Sequence, residues 1–169
     1  MLLKILNCAW RRYLIGLFIY FFYSPAVFAT CAGLGCSCTA GPNTAVAFGN
    51  YNPISATPVT ATGVVSVTCS ALVLFTASYV ISMNAGNSGT LPNRHMLLSS
   101  TQLNYNLYTT AADTTVWGNG TAGTGTVSDS YTAIGLSETR DYTVYGLLPA
   151  LQTVGVGTYT DTVTVTVTY

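Results

Sequence analysis

The sequence predicts an all-β domain, a sandwich or barrel of short strands, preceded by an export signal. Three observations carry that expectation. Past Ala29 no stretch shows helical periodicity, whereas Thr, Val, Tyr and Ala alternate in short runs. Gly, Asn, Pro and Ser punctuate those runs at roughly 8–12-residue spacing, the rhythm of a sandwich or barrel. The chain has 169 residues, half of them hydrophobic and 6% charged. That length suits one ordinary domain, and so apolar a chain is not a disordered one.

The first element is the leader. Lys4, Arg11 and Arg12 precede an unbroken apolar run from Tyr13 to Tyr23, then Ser24-Pro25 and Ala26-Val27-Phe28-Ala29. A basic start, an apolar stretch of about 7–15 residues and small residues before a cut make a secretory signal peptide. Val27 and Ala29 place the cut after Ala29. A membrane anchor needs about 20 apolar residues, more than this run supplies. Residues 1–29 are therefore read as signal and 30–169 as a single exported domain.

Charge and cysteine use agree with export. Beyond residue 29 only Arg94 and Arg140 stand against Asp113, Asp129, Glu138, Asp141 and Asp161, a net charge of −3. No basic face is available for nucleic acid. Cys31, Cys36, Cys38 and Cys69 remain after the leader is removed. Four cysteines in a small exported domain read as two disulfides, with three connectivities open. Their spacing is poor for zinc, and His95 is the chain's one histidine.

The strands follow in order. Ala45 to Tyr51, Ala61 to Cys69 and Leu74 to Met83 are β-branched or aromatic runs; Asn104 to Thr109, Asp141 to Gly146 and Tyr159 to Tyr169 alternate more clearly. Asn84 to Pro92 and Gly118 to Asp129 read as loops. In the last strand Val163, Val165 and Val167 share one face, and Thr160 to Thr168 take the other at every second position. A long terminal strand of this kind is either interior or an edge that a partner covers.

Nothing in the sequence points to an enzyme. Gly118 to Gly123 matches G-x-G-x-x-G, but the following Thr-Gly-Thr-Val-Ser is no helix to receive a pyrophosphate. His95 has no nucleophile motif to serve. Glu138 and Asp141 flank Arg140 and read as a solvated turn, and the Asn119 glycosylation sequon carries little weight.

One succession of motifs resembles a known family. Cys38 is followed by Val46-Ala-Phe48-Gly49-Asn-Tyr51-Asn-Pro53, then by Gly63-Val-Val-Ser-Val67-Thr-Cys69. Tyr79 to Gly86, Arg94-His-Met96, Leu103 to Tyr108 and Trp117 to Thr121 come next. Tyr142 to Ala150 and the ending from Gly157 complete the order. Together they resemble the spore coat protein U domain of Csu-type, or archaic, chaperone–usher pilins, over essentially the whole chain from Cys38.

That resemblance implies an incomplete immunoglobulin-like β-sandwich lacking its final strand. Donor-strand complementation would complete it, first by a periplasmic chaperone and then, at the outer-membrane usher, by another pilus subunit. Val163, Val165 and Val167 would wall the groove. Cys38 would pair with Cys69, a loop worth ~3–4 kcal/mol against the unfolded chain, and Cys31 with Cys36; exchanging Cys36 and Cys38 is the rival. Thr30 to Ser37 is a poor donor strand, which points to a minor or tip subunit. Such subunits bind surfaces through loops, and Trp117 with Asn119 is the candidate contact. The implied role is adhesion and biofilm formation, with no metal or cofactor, the protein passing through the periplasm to the cell surface. A free-standing secreted binding module or coat protein is the alternative.

Overall fold

The structure, a computed structural model, describes residues 29–41 and 44–169. The expected signal peptide, residues 1–29, lies outside the described residues apart from Ala29.

The longest ladder shows why these residues form sheet. β3 (Val59–Ser70) and β8 (Ser137–Leu148) pair antiparallel from Val59↔Leu148 to Ser70↔Ser137. Alternation sends Val65, Val67 and Cys69 of β3 and Val144 and Leu148 of β8 into the core. The intervening residues face out, and Thr68 and Thr139 hydrogen-bond across the rung at 2.8 Å. β2 (Ser37–Ala40) flanks β3, while β6 (Thr101–Tyr108) and then β5 (Arg94–Leu98) flank β8, giving the order β2-β3-β8-β6-β5.

The second sheet is built on β4 (Phe75–Met83). β7 (Val127–Ala133) pairs along one side, while β1 (Thr30–Ala32) and β9 (Val165–Thr168) share the other. Phe75, Ala77, Tyr79, Ile81 and Met83 point inward and are fully or nearly fully buried. They meet Leu103, Tyr105 and Leu107 of the facing sheet. Each such side chain contributes about 1.5–3 kcal/mol by leaving water. The outer face again carries hydroxyls, with Thr76 and Thr132 hydrogen-bonded at 3.1 Å. The fold is an all-β sandwich of two sheets.

Both disulfides form as the resemblance implied. Cys31 is bonded to Cys36 and Cys38 to Cys69. β1 and β2 belong to different sheets, so the first bridge ties a strand of one sheet to the approach of the other.

Four expectations need correction. Residues 45–51 are extended but not a strand: after Thr44 pairs with Val64, the chain leaves the edge of β3 and crosses inward. Gly63 and Gly146 make room, since a Cβ there would stand 2.8 and 2.6 Å from Val46 methyls. The segment expected as a loop to Asp129 becomes strand from Val127. Glu138, Arg140 and Asp141 lie within β8 rather than in a turn. The terminal ladder covers Val165–Thr168, and upstream Thr160 makes a separate bridge to Leu97. β1, β2 and β5 carry too little alternation to be read as strands.

Candidate strand-accepting cleft

The two sheets end on one side in β2 and β9. These strands run close together, yet no ladder joins them. Further from them, residues 46–53 and 154–159 stand apart around a cleft of about 520 Å³. Val46, Phe48 and Tyr51 form one wall, Val154, Val156 and Tyr159 the other, and Met96, Leu103 and Leu148 the floor. The lining is mixed, somewhat more apolar than polar.

Each wall is fixed by polar anchors outside the apolar surface. Thr44 exchanges backbone hydrogen bonds with Val64 at 2.9 and 3.0 Å. The Tyr51 hydroxyl donates to the Pro149 carbonyl at 3.0 Å and accepts from the Gln152 backbone N–H at 2.8 Å. Phe48 meets the Tyr105 ring edge-on, with centroids 5.8 Å apart. On the other wall, Asp161 accepts from the backbone N–H of Asn87 at 2.7 Å and from the Tyr105 hydroxyl at 2.7 Å. Burial, reinforced by that carboxylate, pushes the Tyr105 phenol well above its ordinary range, so it stays a donor. Gly86 stands against Asp161 with φ of 62°, and a side chain there would collide with the carboxylate. Asn84 then holds the strand: its side chain accepts from the Thr164 N–H at 2.8 Å.

The valines expected at the groove wall lie where alternation put them. Val163, Val165 and Val167 are half-buried and pack on the core, while Thr160 to Thr168 at alternate positions are exposed. β9 is paired to β4 on one side, and no described strand pairs with its other edge.

Trp117 lies elsewhere. It is fully buried, donating its indole N–H to the Ile81 carbonyl at 3.0 Å, and its own carbonyl accepts from Arg94. A buried indole cannot touch a surface, so the expected adhesive contact through Trp117 is corrected. Asn119 is exposed, and its side chain closes a turn onto the Thr121 N–H and hydroxyl.

Sequence reasoning missed the exposed apolar end of the molecule. Leu34 in the β1–β2 turn, Leu72, Val73 and Leu74 between β3 and β4, and Ile134 and Leu136 between β7 and β8 are all exposed, Ile134 at 90%. The Leu72 N–H donates to Leu34 and the Ala71 N–H to Leu136, so the three loops brace one another. The apolar run at 71–75 reads as the start of a strand, which hides it. The cleft adjoins the opposite end of β3, near Gly63.

Among the described residues no group of three or more His, Cys, Asp or Glu could hold a metal, and no helix is long and apolar enough to cross a membrane.

Comparison with known proteins bears on the whole fold. Protein U of Myxococcus xanthus is 34% identical over 166 residues, covering 87% of this chain and 89% of that protein. A crystal structure of the CsuC–CsuE chaperone–tip adhesion subunit pre-assembly complex, from archaic chaperone–usher Csu pili of Acinetobacter baumannii, is also similar. It shows 24% identity and a TM-score of 0.48, over 79% of this chain. This chain spans 40% of the matched chain of that complex. The Spore Coat Protein U domain model matches residues 25–166, and the chain belongs to that family.

Proposed function

We propose that this protein is a non-enzymatic structural subunit of an archaic chaperone–usher pilus, completed by a strand from another chain. The observation that carries the reading is the cleft between residues 46–53 and 154–159, together with the edge of β9 that no described strand pairs. An extended segment can pair with that edge by main-chain hydrogen bonds and place alternate side chains on the apolar part of the lining. β2 and β9 would part to admit it. The partners of that reading are a periplasmic chaperone, an outer-membrane usher and neighbouring subunits, and the protein is exported to the cell surface.

β1 supports a particular place in the fibre. Thr30, Cys31 and Ala32 are already paired to β4, and Cys31 is bonded to Cys36. A segment spent on its own fold cannot serve as a donor, which favours a minor or tip subunit that accepts without donating. Adhesion and biofilm formation fit the braced apolar loops, since exposed patches of that kind mark contact surfaces. Charged side chains are absent from residues 33–36, 71–74 and 134–136.

The test is export of the chain alone and with an archaic-type chaperone, followed by size exclusion. Soluble protein found as a one-to-one complex supports the reading. A stable monomer that melts cooperatively by itself would instead favour a free-standing binding module or coat protein.

A further inference from the structure

Four sulfurs form one continuous chain where the two sheets meet. Cys31 lies in β1 and is bonded to Cys36, while Cys38 lies in β2 and is bonded to Cys69, its direct partner in the β2–β3 ladder. Cys31 Sγ stands 3.7 Å from Cys38 Sγ, so the two bridges touch across the sheets. Their access to solvent differs. Cys38 and Cys69 are buried, Cys69 completely. Cys31 and Cys36 are half-buried and close a turn whose residues 32–35 are all exposed. A thiol or disulfide from solution therefore reaches the outer bridge and not the inner one.

We infer that Cys31–Cys36 is a thiol–disulfide exchange site, through which the buried Cys38–Cys69 bridge is oxidised and reduced in the folded domain. Exchange needs a thiolate to attack one sulfur of a disulfide and expel the other. In the oxidising direction the Cys38 thiolate attacks Cys31 Sγ. A Cys31–Cys38 bond forms, the Cys31–Cys36 bond breaks, and Cys36 leaves as a thiolate. Cys69, held opposite Cys38 by the ladder, then attacks Cys38 Sγ and expels Cys31. The inner bridge is now closed, and its two electrons and two protons rest on the Cys31 and Cys36 thiols. A disulfide from solution, such as oxidised glutathione, takes them up, is reduced to two thiols and restores the outer bridge. Reduction runs the same steps backwards, starting from a dithiol acting on Cys31–Cys36. Both internal steps join sulfurs already held side by side, which gives them effective concentrations far above that of a solution thiol. The outer bridge spans a sequence separation of 5 and the inner one 31. The pair that meets most readily is thus the pair that hands oxidation on.

The test is disulfide trapping on the exported protein, as isolated from the periplasm with or without a chaperone. The folded protein is exposed to dithiothreitol. Aliquots are unfolded in acid and alkylated with N-ethylmaleimide, and the bonded peptides are mapped by mass spectrometry. Alkylation of Cys36 is expected before that of Cys69, with a Cys31–Cys38 linkage appearing in between. In Cys31→Ser/Cys36→Ser the inner bridge should be reduced at least about tenfold more slowly than in the wild type. A merely structural outer bridge predicts the reverse, since its loss loosens β1 and leaves Cys38–Cys69 as accessible as before or more so. Cys36→Ser alone leaves a free thiol on Cys31 and serves even where the double variant does not fold. Part of that protein should carry a Cys31–Cys38 bridge with Cys69 free. Inner reduction that is no slower in the double variant overturns the exchange site, as does Cys36→Ser protein in which no Cys31–Cys38 linkage is found.

Discussion

Arg94 shows how a single charged residue can serve a core. It is 1% exposed, and its guanidinium donates to the carbonyls of Asn84 and Trp117, twice to the first, and to the Asn106 side chain. Burial lowers its pKa from the usual arginine range, yet each of its three nitrogens donates to a fixed acceptor. Arg94→Met would strand two carbonyls, and we expect a loss of about 3 kcal/mol in a urea titration. Asp129 acts at the opposite margin. Burial opposes its ionisation, but hydrogen bonds from the Tyr142 hydroxyl, the Ser130 N–H and Arg140 outweigh that and hold its pKa below the ordinary carboxylate value. Its folded pKa lies below the unfolded one, near 3.9. Its stabilisation is therefore present above about pH 4 and lost as pH falls through the folded pKa. Urea midpoints measured from pH 7 down to pH 2 should show that loss, and Asp129→Asn should flatten this part of the profile.

At the scale of elements, β9 separates what alternation reveals from what it hides. The period of two fixed which face holds Val163, Val165 and Val167, and the structure buries that face. It could not show that the ladder would shorten to Val165–Thr168, since that depends on Asp161 and Asn84 pinning the upstream chain to other partners. The same limit applies to β1: three residues carry no periodicity, and their pairing to β4 is a tertiary outcome. Residues 45–51 alternate as a strand does, but Gly63 and Gly146 give them a place inside the sandwich instead. The inward face of the terminal strand was thus legible, but the cleft was not: its walls are residues 46–53 and 154–159, and Val163, Val165 and Val167 pack on the core instead of lining it. Substitutions on β9 should separate the faces. Val165→Asp puts a charge on the inward face and should abolish the chaperone complex on size exclusion. Thr166→Ala, on the exposed face, should leave it intact, with a stability change within about 0.5 kcal/mol.

For the whole molecule, the cleft and the apolar loops occupy opposite ends of β3. The proposed strand-accepting and surface-contacting roles can therefore be tested separately. Replacing Leu72 and Ile134 with serine should reduce adsorption to polystyrene severalfold and leave the urea midpoint within about 0.5 kcal/mol, because both side chains are already in water. Adsorption that is unchanged would remove these loops from the adhesive role. The all-β class was legible from strand rhythm, whereas the disulfide pairs came only from the family resemblance, since the spacing of the cysteines left three connectivities open. The apolar end was not, because an exposed Leu72-Val-Leu74 and a buried strand start look alike in sequence.

The β3–β8 ladder also decides how the molecule meets a load. It runs for twelve registered pairs from the cleft end toward the loop end, and strands of that length span on the order of 40 Å. A subunit gripped at its cleft and held at its loops is pulled along these strands rather than across them. Tension then falls on all the rungs together, as in a lap joint under shear, and cannot peel them one by one. At the loop end Cys38–Cys69 rivets β2 to β3, so a tether under flow would meet covalent resistance where an edge strand is otherwise the first to tear.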